Sequence, residues 1–168
     1  MDGRDAFLAK ALSQRGMCRK ANGTTTYGTW FAELVHDAAF KAGDFCAMGL
    51  LWCADQTGQL DVLGGGNRAW AWVPSWWDHF HAQGRTTDKP GRGRIVFFNF
   101  GSGGPAHVGA VLQDNHDGTI ETIEFNTLNG QCAPRTRSLS LVYGFADPAW
   151  PADPAQDEDL AIVVSLGA

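Results

Sequence analysis

The hydrophobic pattern of the chain changes once, near Arg94, from helical to strand-like. Before that point apolar residues recur at helical spacing, as in "DAFLAKALSQR" (5–15), where Asp5 is placed to cap a helix and Gly16 to end it. After it, the runs "RIVFFNF", "HVGAVLQ", "TIETIEF" and "SLSLVYGFA" are rich in β-branched and aromatic residues. Helices followed by a strand meander predict an α+β domain, with N-terminal helices packed on an antiparallel sheet.

Three further segments define the helical half. "CRKANGTTTYGTWF" (18–31) has the turn signal Asn-Gly and predicts a loop, whereas "AELVHDAAFKAG" (32–43) predicts a helix with a glycine stop. "GDFCAMGLLWCADQTG" (43–58) predicts a mostly apolar helix with Asp44 as its cap, buried at the centre of the domain. "VPSWWDHFHAQG" (73–84) predicts a short aromatic helix.

Length and composition exclude several classes of protein. A chain of 168 residues is about one domain, which we assign to residues 1–150, followed by an acidic, Pro/Ala-rich linker or tail at 151–168. The formal net charge of -5 gives no basic surface for nucleic acid, and no apolar run is long enough for a membrane span. The polar N-terminus predicts synthesis in the cytoplasm without a signal peptide, and we expect free thiols and a monomer.

Cys46 is the cysteine best placed for chemistry. It lies in the first turn of the apolar helix, where unpaired backbone N–H groups and the helix dipole stabilise a thiolate. Cys53 lies two turns further on among apolar residues, where a thiol is expected to be inert packing. A cysteine nucleophile also needs a base with an orienting partner. The strand that begins at His107 offers such a base.

The hairpin after His107 indicates which residues share its face of the sheet. If His116 and Asp117 form a two-residue loop, His107 pairs with Asn126 and Glu124 is its diagonal neighbour. A loop at Asp117-Gly118 shifts the pairing by two and keeps the face, whereas a three-residue loop would move Glu124 to the other face.

These residues together resemble the CHAP domain, a family of papain-like, cysteine- and histidine-dependent peptidoglycan amidohydrolases and peptidases. The resemblance is carried by "YGTW" (27–30), "DFCAMGLLWCADQTG" (44–58), "GRIVFF" (93–98), "AHVGAVL" (106–112), "TIETIEFNT" (119–127) and "VYGFADPAW" (142–150). It implies Cys46 as nucleophile, His107 as base, Glu124 as the group that orients the imidazole, and Asn126 as a further polar member of the site. The aromatic residues and the small-residue loop near these positions add Phe45, Trp72, Trp76 and Gly104 as candidate substrate contacts.

The resemblance also implies a substrate and a setting. The substrate would be bacterial peptidoglycan, cut as an N-acetylmuramoyl-L-alanine amidase or a cross-bridge endopeptidase, by a phage endolysin or tail-associated lysin acting on the cell wall. No cofactor or metal is expected. Some relatives bind calcium, but the acids near the nucleophile are too sparse in this sequence to support a calcium loop. His79 and His81 do not predict a zinc site, because residues two apart do not share a helix face.

Two other functions stay open. A non-catalytic wall-binding module could keep the fold and hold peptidoglycan through its tryptophans, although such a module has no need of a cysteine, a histidine and a glutamate together. An intracellular transamidase would use the same chemistry and would transfer an amine instead of hydrolysing the bond.

Overall fold

The structure, a computed structural model, describes residues 1–101 and 103–152. The helical half precedes the sheet, as predicted. Its four α-helices are α1 (Gly3–Leu12), α2 (Thr26–Leu34), α3 (Cys46–Asp55) and α4 (Val73–Ala82), and its short 3₁₀ helices are Ala38–Ala42, Leu60–Leu63 and Arg68–Ala71.

An antiparallel six-stranded sheet forms the second half. Its order is β1-β6-β2-β3-β4-β5, so β2 to β5 form a meander, of which β2, β3 and β4 were predicted, and the predicted strand β6 returns to pair with β2 on the other side. The strands are β1 (Thr86–Thr87), β2 (Ile95–Phe98), β3 (His107–Asp114), β4 (Thr119–Thr127), β5 (Gln131–Ser138) and β6 (Val142–Ala146), with a 3₁₀ turn at Leu139–Leu141 before β6. The α+β class and the layered arrangement are confirmed.

The boundaries of the first two helices differ from the prediction. Asp2, not Asp5, caps α1, since its side chain accepts a hydrogen bond from the Asp5 N–H at 2.7 Å. The segment predicted as a loop contains α2, which Thr25 caps by accepting from the Gly28 N–H at 2.8 Å. Gly28 is needed inside this helix because a Cβ there would lie 2.5 Å from the carbonyl oxygen of Phe40.

Hydrophobic residues pack on both faces of the sheet. The larger cluster joins the helices to one face and includes Met48 and Leu51 of α3 and Phe125 of β4. Gly49 of α3 lies against the Phe125 ring, and a Cβ at Gly49 would overlap that ring, so α3 approaches β4 closely. The second face carries a smaller cluster of Val96, Phe98, Val111, Ile120 and Phe145, packed by Leu139, Leu141 and Val142.

The hairpin between β3 and β4 places Glu124 on the predicted face of the sheet, but its loop is one residue longer than the two-residue loop of the prediction. The Asn115 N–H donates to the Thr119 carbonyl at 3.1 Å, so the loop has three residues, 116–118, not two. A bulge between Val111 and Gln113 then shifts the register by one residue. Beyond the bulge Gly109 lies opposite Glu124, which is the pairing that a two-residue loop would have given.

The last described residues pack back on the first helix. The Trp150 ring stacks on Phe7 of α1 with centroids 4.7 Å apart, and its indole N–H donates to the Gly93 carbonyl at 3.0 Å. The Gly3 N–H donates to the Pro151 carbonyl at 2.9 Å. These contacts tie the two ends of residues 1–151 together, and most of the tail predicted at 151–168 lies outside the described residues. No helix in the part of the chain that the structure describes is long and apolar enough to cross a membrane.

Candidate active site

A cleft of about 210 Å³ opens where the starts of α3, α4 and β3 meet. It is lined by Asp44, Cys46, Ala71, Trp72, Val73, Pro74, Pro105, Ala106, His107 and Asn126. Four of the side chains predicted for the site, namely Cys46, His107, Asn126 and Trp72, therefore border one cavity. Trp72 is 65% exposed, so its indole is available to a ligand in the cleft.

Cys46 is the first residue of α3, and the start of this helix is open. The predicted cap, Asp44, does not cap it. Phe45 is the N-cap, and among the described residues its side chain makes no capping hydrogen bond. The first helical bond runs from the Gly49 N–H to the Phe45 carbonyl at 2.9 Å, so the N–H groups of Cys46 and the next two residues are free of intrahelical partners. Backbone N–H groups in this position can stabilise negative charge on a sulfur or an oxygen.

His107 is the first residue of β3, and its imidazole borders the cleft on one side and contacts Glu124 of β4 on the other. The imidazole lines the same cleft as Cys46, and its Nε2 lies 3.0 Å from Oε2 of Glu124, so Nδ1 is the ring nitrogen left for the thiol. The ring lies 5.9 Å from the ring centroids of both Phe98 and Phe100. The aromatic rings and the two polar partners hold the imidazole between the thiol and the carboxylate.

Glu124 is fully buried on β4, and its carboxylate is saturated with hydrogen bonds. Oε1 accepts from the Thr122 hydroxyl at 2.7 Å and from Nε of Arg137 at 2.9 Å. Oε2 accepts from Nη2 of Arg137 at 2.6 Å and faces His107. We call Glu124, Thr122, His107 and Arg137 the Glu124 network. Gly109 makes room for it, because a Cβ at Gly109 would lie 2.8 Å from Cγ of Glu124.

Burial and charge act in opposite directions on these titratable groups. Burial by itself would lower the pKa of His107, but hydrogen bonds and charge interactions with Cys46 and Glu124 raise it to about 9. Burial would raise the pKa of Glu124, but hydrogen bonds from Arg137, His107 and Thr122 lower it to about 2. The favoured state at neutral pH is therefore an imidazolium beside an ionised carboxylate.

The other cysteines lie in different surroundings. Burial raises the pKa of the Cys53 thiol well above its ordinary value, and it raises that of Cys132 to about 12. Cys18 is exposed, and no two cysteines in the described residues form a disulfide. Within the same residues, no group of three or more His, Cys, Asp or Glu side chains is arranged to hold a metal ion.

Three predicted contacts need correction. Phe45 and Trp76 are fully buried, so neither side chain can touch a substrate. Phe45 stacks on Tyr27, and the Trp76 indole donates to the Trp70 carbonyl at 2.7 Å. Asn126 lines the cleft, but it lies in a bulge with φ 53° and donates to Oδ1 of Asp44 at 3.0 Å instead of pairing with His107. A Cβ at Gly104 would meet open space, and its contact with substrate stays a prediction.

The sequence patterns did not predict strand β5, and for that reason they did not predict Arg137 as part of the site. The segment "QCAPRTRS" lacks hydrophobic alternation and contains Pro134, which argues against a central strand. β5 is an edge strand of the described sheet, where a proline is tolerated. The prediction of Glu124 beside His107 was itself a signal, because a carboxylate that is buried in such a site requires a cation or several donors nearby.

A helix that opens with a cysteine, packed on an antiparallel sheet that presents a histidine to it, defines the papain-like class of fold. A family model for the CHAP domain matches residues 35–126, which is more than half of the chain. The chain therefore belongs to the CHAP domain family, whose members are in general cysteine- and histidine-dependent amidohydrolases acting on peptidoglycan.

Among solved structures, the chain is similar to one described as the crystal structure of Ly7917, with 15% sequence identity and a TM-score of 0.50. The similarity covers 86% of this chain and 62% of that one, so the chain matches about three fifths of the length of that protein. At this identity it supports the fold alone. No curated protein matches the chain.

Proposed function

We propose that the protein is a peptidoglycan hydrolase that cleaves an amide bond through a thioester on Cys46. The observation that carries the proposal is that Cys46, at the open start of α3, shares one cleft with His107, whose Nε2 lies 3.0 Å from Oε2 of the buried Glu124. A wall-binding module would have no use for a buried carboxylate aligned on an imidazole beside a cysteine. The same arrangement is what a nucleophile, its base and an orienting group require.

The first half of the reaction acylates Cys46. The thiolate attacks the amide carbonyl carbon, and the electrons of the C=O bond move to the oxygen, where the Cys46 N–H at the start of α3 can donate to it. His107 then gives its proton to the leaving nitrogen, the C–N bond breaks, and a thioester remains on Cys46. Glu124 holds the imidazole in the orientation that both proton transfers need.

The second half hydrolyses the thioester. His107, now neutral, accepts a proton from water as the water oxygen attacks the thioester carbon. The C–S bond breaks, the acid product leaves, and Cys46 and His107 return to the thiolate and imidazolium. None of these steps uses a metal ion, calcium included, or an organic cofactor.

The bond that is cut can be either the lactyl amide to L-alanine or a peptide bond in the cross-bridge. The origin as a phage endolysin or a tail-associated lysin stays a prediction of the sequence analysis, as does action as a monomer on the cell wall after synthesis in the cytoplasm.

Mass spectrometry of fragments released from purified peptidoglycan tests the proposal. The wild type and a Cys18→Ala control, which removes an exposed thiol away from the cleft, should release the same fragments, and Cys46→Ala should release none. The new termini identify the bond. Equal release by Cys46→Ala would refute the mechanism. If the wild type and Cys46→Ala both sediment with the wall and release nothing, the protein is a binding module.

A further inference from the structure

We propose that Arg137 is a positioning residue that keeps Glu124 ionised and fixed in the orientation that His107 requires. The proposal deepens the function given above and rests on it for its catalytic consequence. Its structural part, the control of the Glu124 charge by Arg137, can be tested without any turnover.

The contact geometry shows what Arg137 supplies. Its Nε and Nη2 donate to the two different oxygens of Glu124, at 2.9 and 2.6 Å, in the parallel two-bond arrangement that a guanidinium makes with a carboxylate. Both donors come from β5, and the imidazole that shares Oε2 comes from β3. Arg137 therefore fixes the plane of the carboxylate from the side opposite His107, and one oxygen stays directed at the imidazole.

Because Glu124 is buried, its carboxylate needs the nearby Arg137 guanidinium to stay ionised. Glu124 is 0% exposed, and a buried carboxylate without a compensating charge takes up a proton. The groups that face it are His107 from β3, Arg137 from β5 and the Thr122 hydroxyl from its own strand, while Cys46 from α3 faces the imidazole. If Glu124 became a neutral acid, it would lose the charge that stabilises the imidazolium. Of the two cations in this set, only Arg137 keeps its charge throughout the working pH range.

Two aromatic rings hold the guanidinium in place. Cζ of Arg137 lies 5.4 Å from the ring centroid of Phe98 and 5.5 Å from that of Phe100. The same two rings flank the His107 imidazole. A planar guanidinium can stack on these rings and bind both carboxylate oxygens at once, which the point charge of a lysine cannot do. We therefore expect lysine at position 137 to restore the charge but not the orientation.

The charge of Glu124 can be measured directly by NMR of protein labelled with ¹³C at the glutamate carboxyl groups. In the wild type the Glu124 signal should show an ionised carboxylate down to a pH of about 2. In Arg137→Gln its titration midpoint should rise by about 1 to 3 pH units, and in Arg137→Lys by less. Arg135→Gln is the matched control, because Arg135 lies two residues away on β5 and makes no described contact with Glu124. Its Glu124 titration should be that of the wild type.

An unchanged Glu124 titration in Arg137→Gln would overturn the proposal, as would an equal shift in the Arg135→Gln control. If Arg137→Gln does not fold, Arg137→Lys decides, and a wild-type kcat/KM in that variant overturns the positioning role, because lysine restores the charge but not the two-bond orientation. The second readout is the pH profile of kcat/KM for peptidoglycan cleavage. A positioning role raises the pH of the acidic limb in Arg137→Gln, whereas a purely structural role lowers kcat/KM by the same factor at every pH. Absence of all turnover in the wild type would refute the proposed function and leave the carboxyl titration as the test of Arg137.

Discussion

Replacing Gly109 with alanine should displace Glu124 and reduce activity more than it reduces stability. The added Cβ would lie 2.8 Å from Cγ of Glu124 and 3.2 Å from the Ile123 carbonyl oxygen. Carbon atoms in van der Waals contact lie about 3.5 to 4.0 Å apart, so the Glu124 side chain has to move by about 0.7 to 1.2 Å. It is the group that can yield, because the carbonyl belongs to the ladder of β4.

The displacement can be translated into activity. The Nε2–Oε2 distance between His107 and Glu124 is 3.0 Å, and an increase of about 1 Å takes it beyond hydrogen-bond range. Misplacement of a catalytic group by that amount lowers kcat/KM by about 10²-fold. Overpacking of the core should cost about 1 to 3 kcal/mol of unfolding free energy.

The assay compares kcat/KM on peptidoglycan with the free energy of unfolding from urea titrations. Gly43→Ala is the control, because the nearest atom to a Cβ at Gly43 is 3.4 Å away and its φ of -67° suits alanine. Gly43→Ala should have the kcat/KM and the free energy of unfolding of the wild type. An unchanged kcat/KM in Gly109→Ala would refute the argument that the close approach to Glu124 positions His107. A loss of kcat/KM no larger than the increase in unfolded protein accounts for would also refute this argument.

Three further outcomes follow from the site. Iodoacetamide should label Cys46 faster than the exposed Cys18 below pH 8, measured by peptide mass spectrometry, and equal rates would count against a thiolate. His107, raised from 6.5 to about 9, should contribute stability that is complete below pH 6.5 and lost towards pH 9. Glu124, lowered from 4.5 to about 2, should contribute stability that is lost only as the pH falls below 4.5 towards 2, so urea titrations should show the greatest contribution of the pair between pH 4.5 and 6.5. Trp72→Ala should raise KM and leave the unfolding free energy nearly unchanged, since the ring is 65% exposed; an unchanged KM would remove Trp72 from substrate binding.

The sequence predicts well where local patterns and burial agree. The apolar run at 43–58 predicts a buried helix with Cys46 in its first turn, and the structure has that helix at Cys46–Asp55. The β-branched runs predict β2, β3 and β4, and all three are present. In these segments the residue types that favour the element are also those that the core requires, so no tertiary contact has to override them.

The prediction fails where contacts between residues far apart in the chain determine the local structure or the burial of a side chain. The glycine in α2 resembles a loop residue in sequence, but Gly28 is required by the approach of a distant backbone. Phe45 and Trp76 resemble surface aromatics beside the site, yet both rings complete the core. Arg137 lies on an edge strand whose composition gives no strand signal, and its partner is 13 residues earlier in the chain. None of these contacts leaves a local pattern.

The pairing of His107 with Glu124 depends on an irregularity of the sheet. The three-residue loop at 116–118 sets a register in which Asp114 lies opposite Ile120. If that register continued without change, Ala110 would lie opposite Glu124, and the carboxylate would be on the face away from His107. The bulge between Val111 and Gln113 shifts the pairing by one residue and places Gly109 opposite Glu124. One extra residue in β3 thus decides whether the imidazole and the carboxylate can meet, and the residue types alone do not.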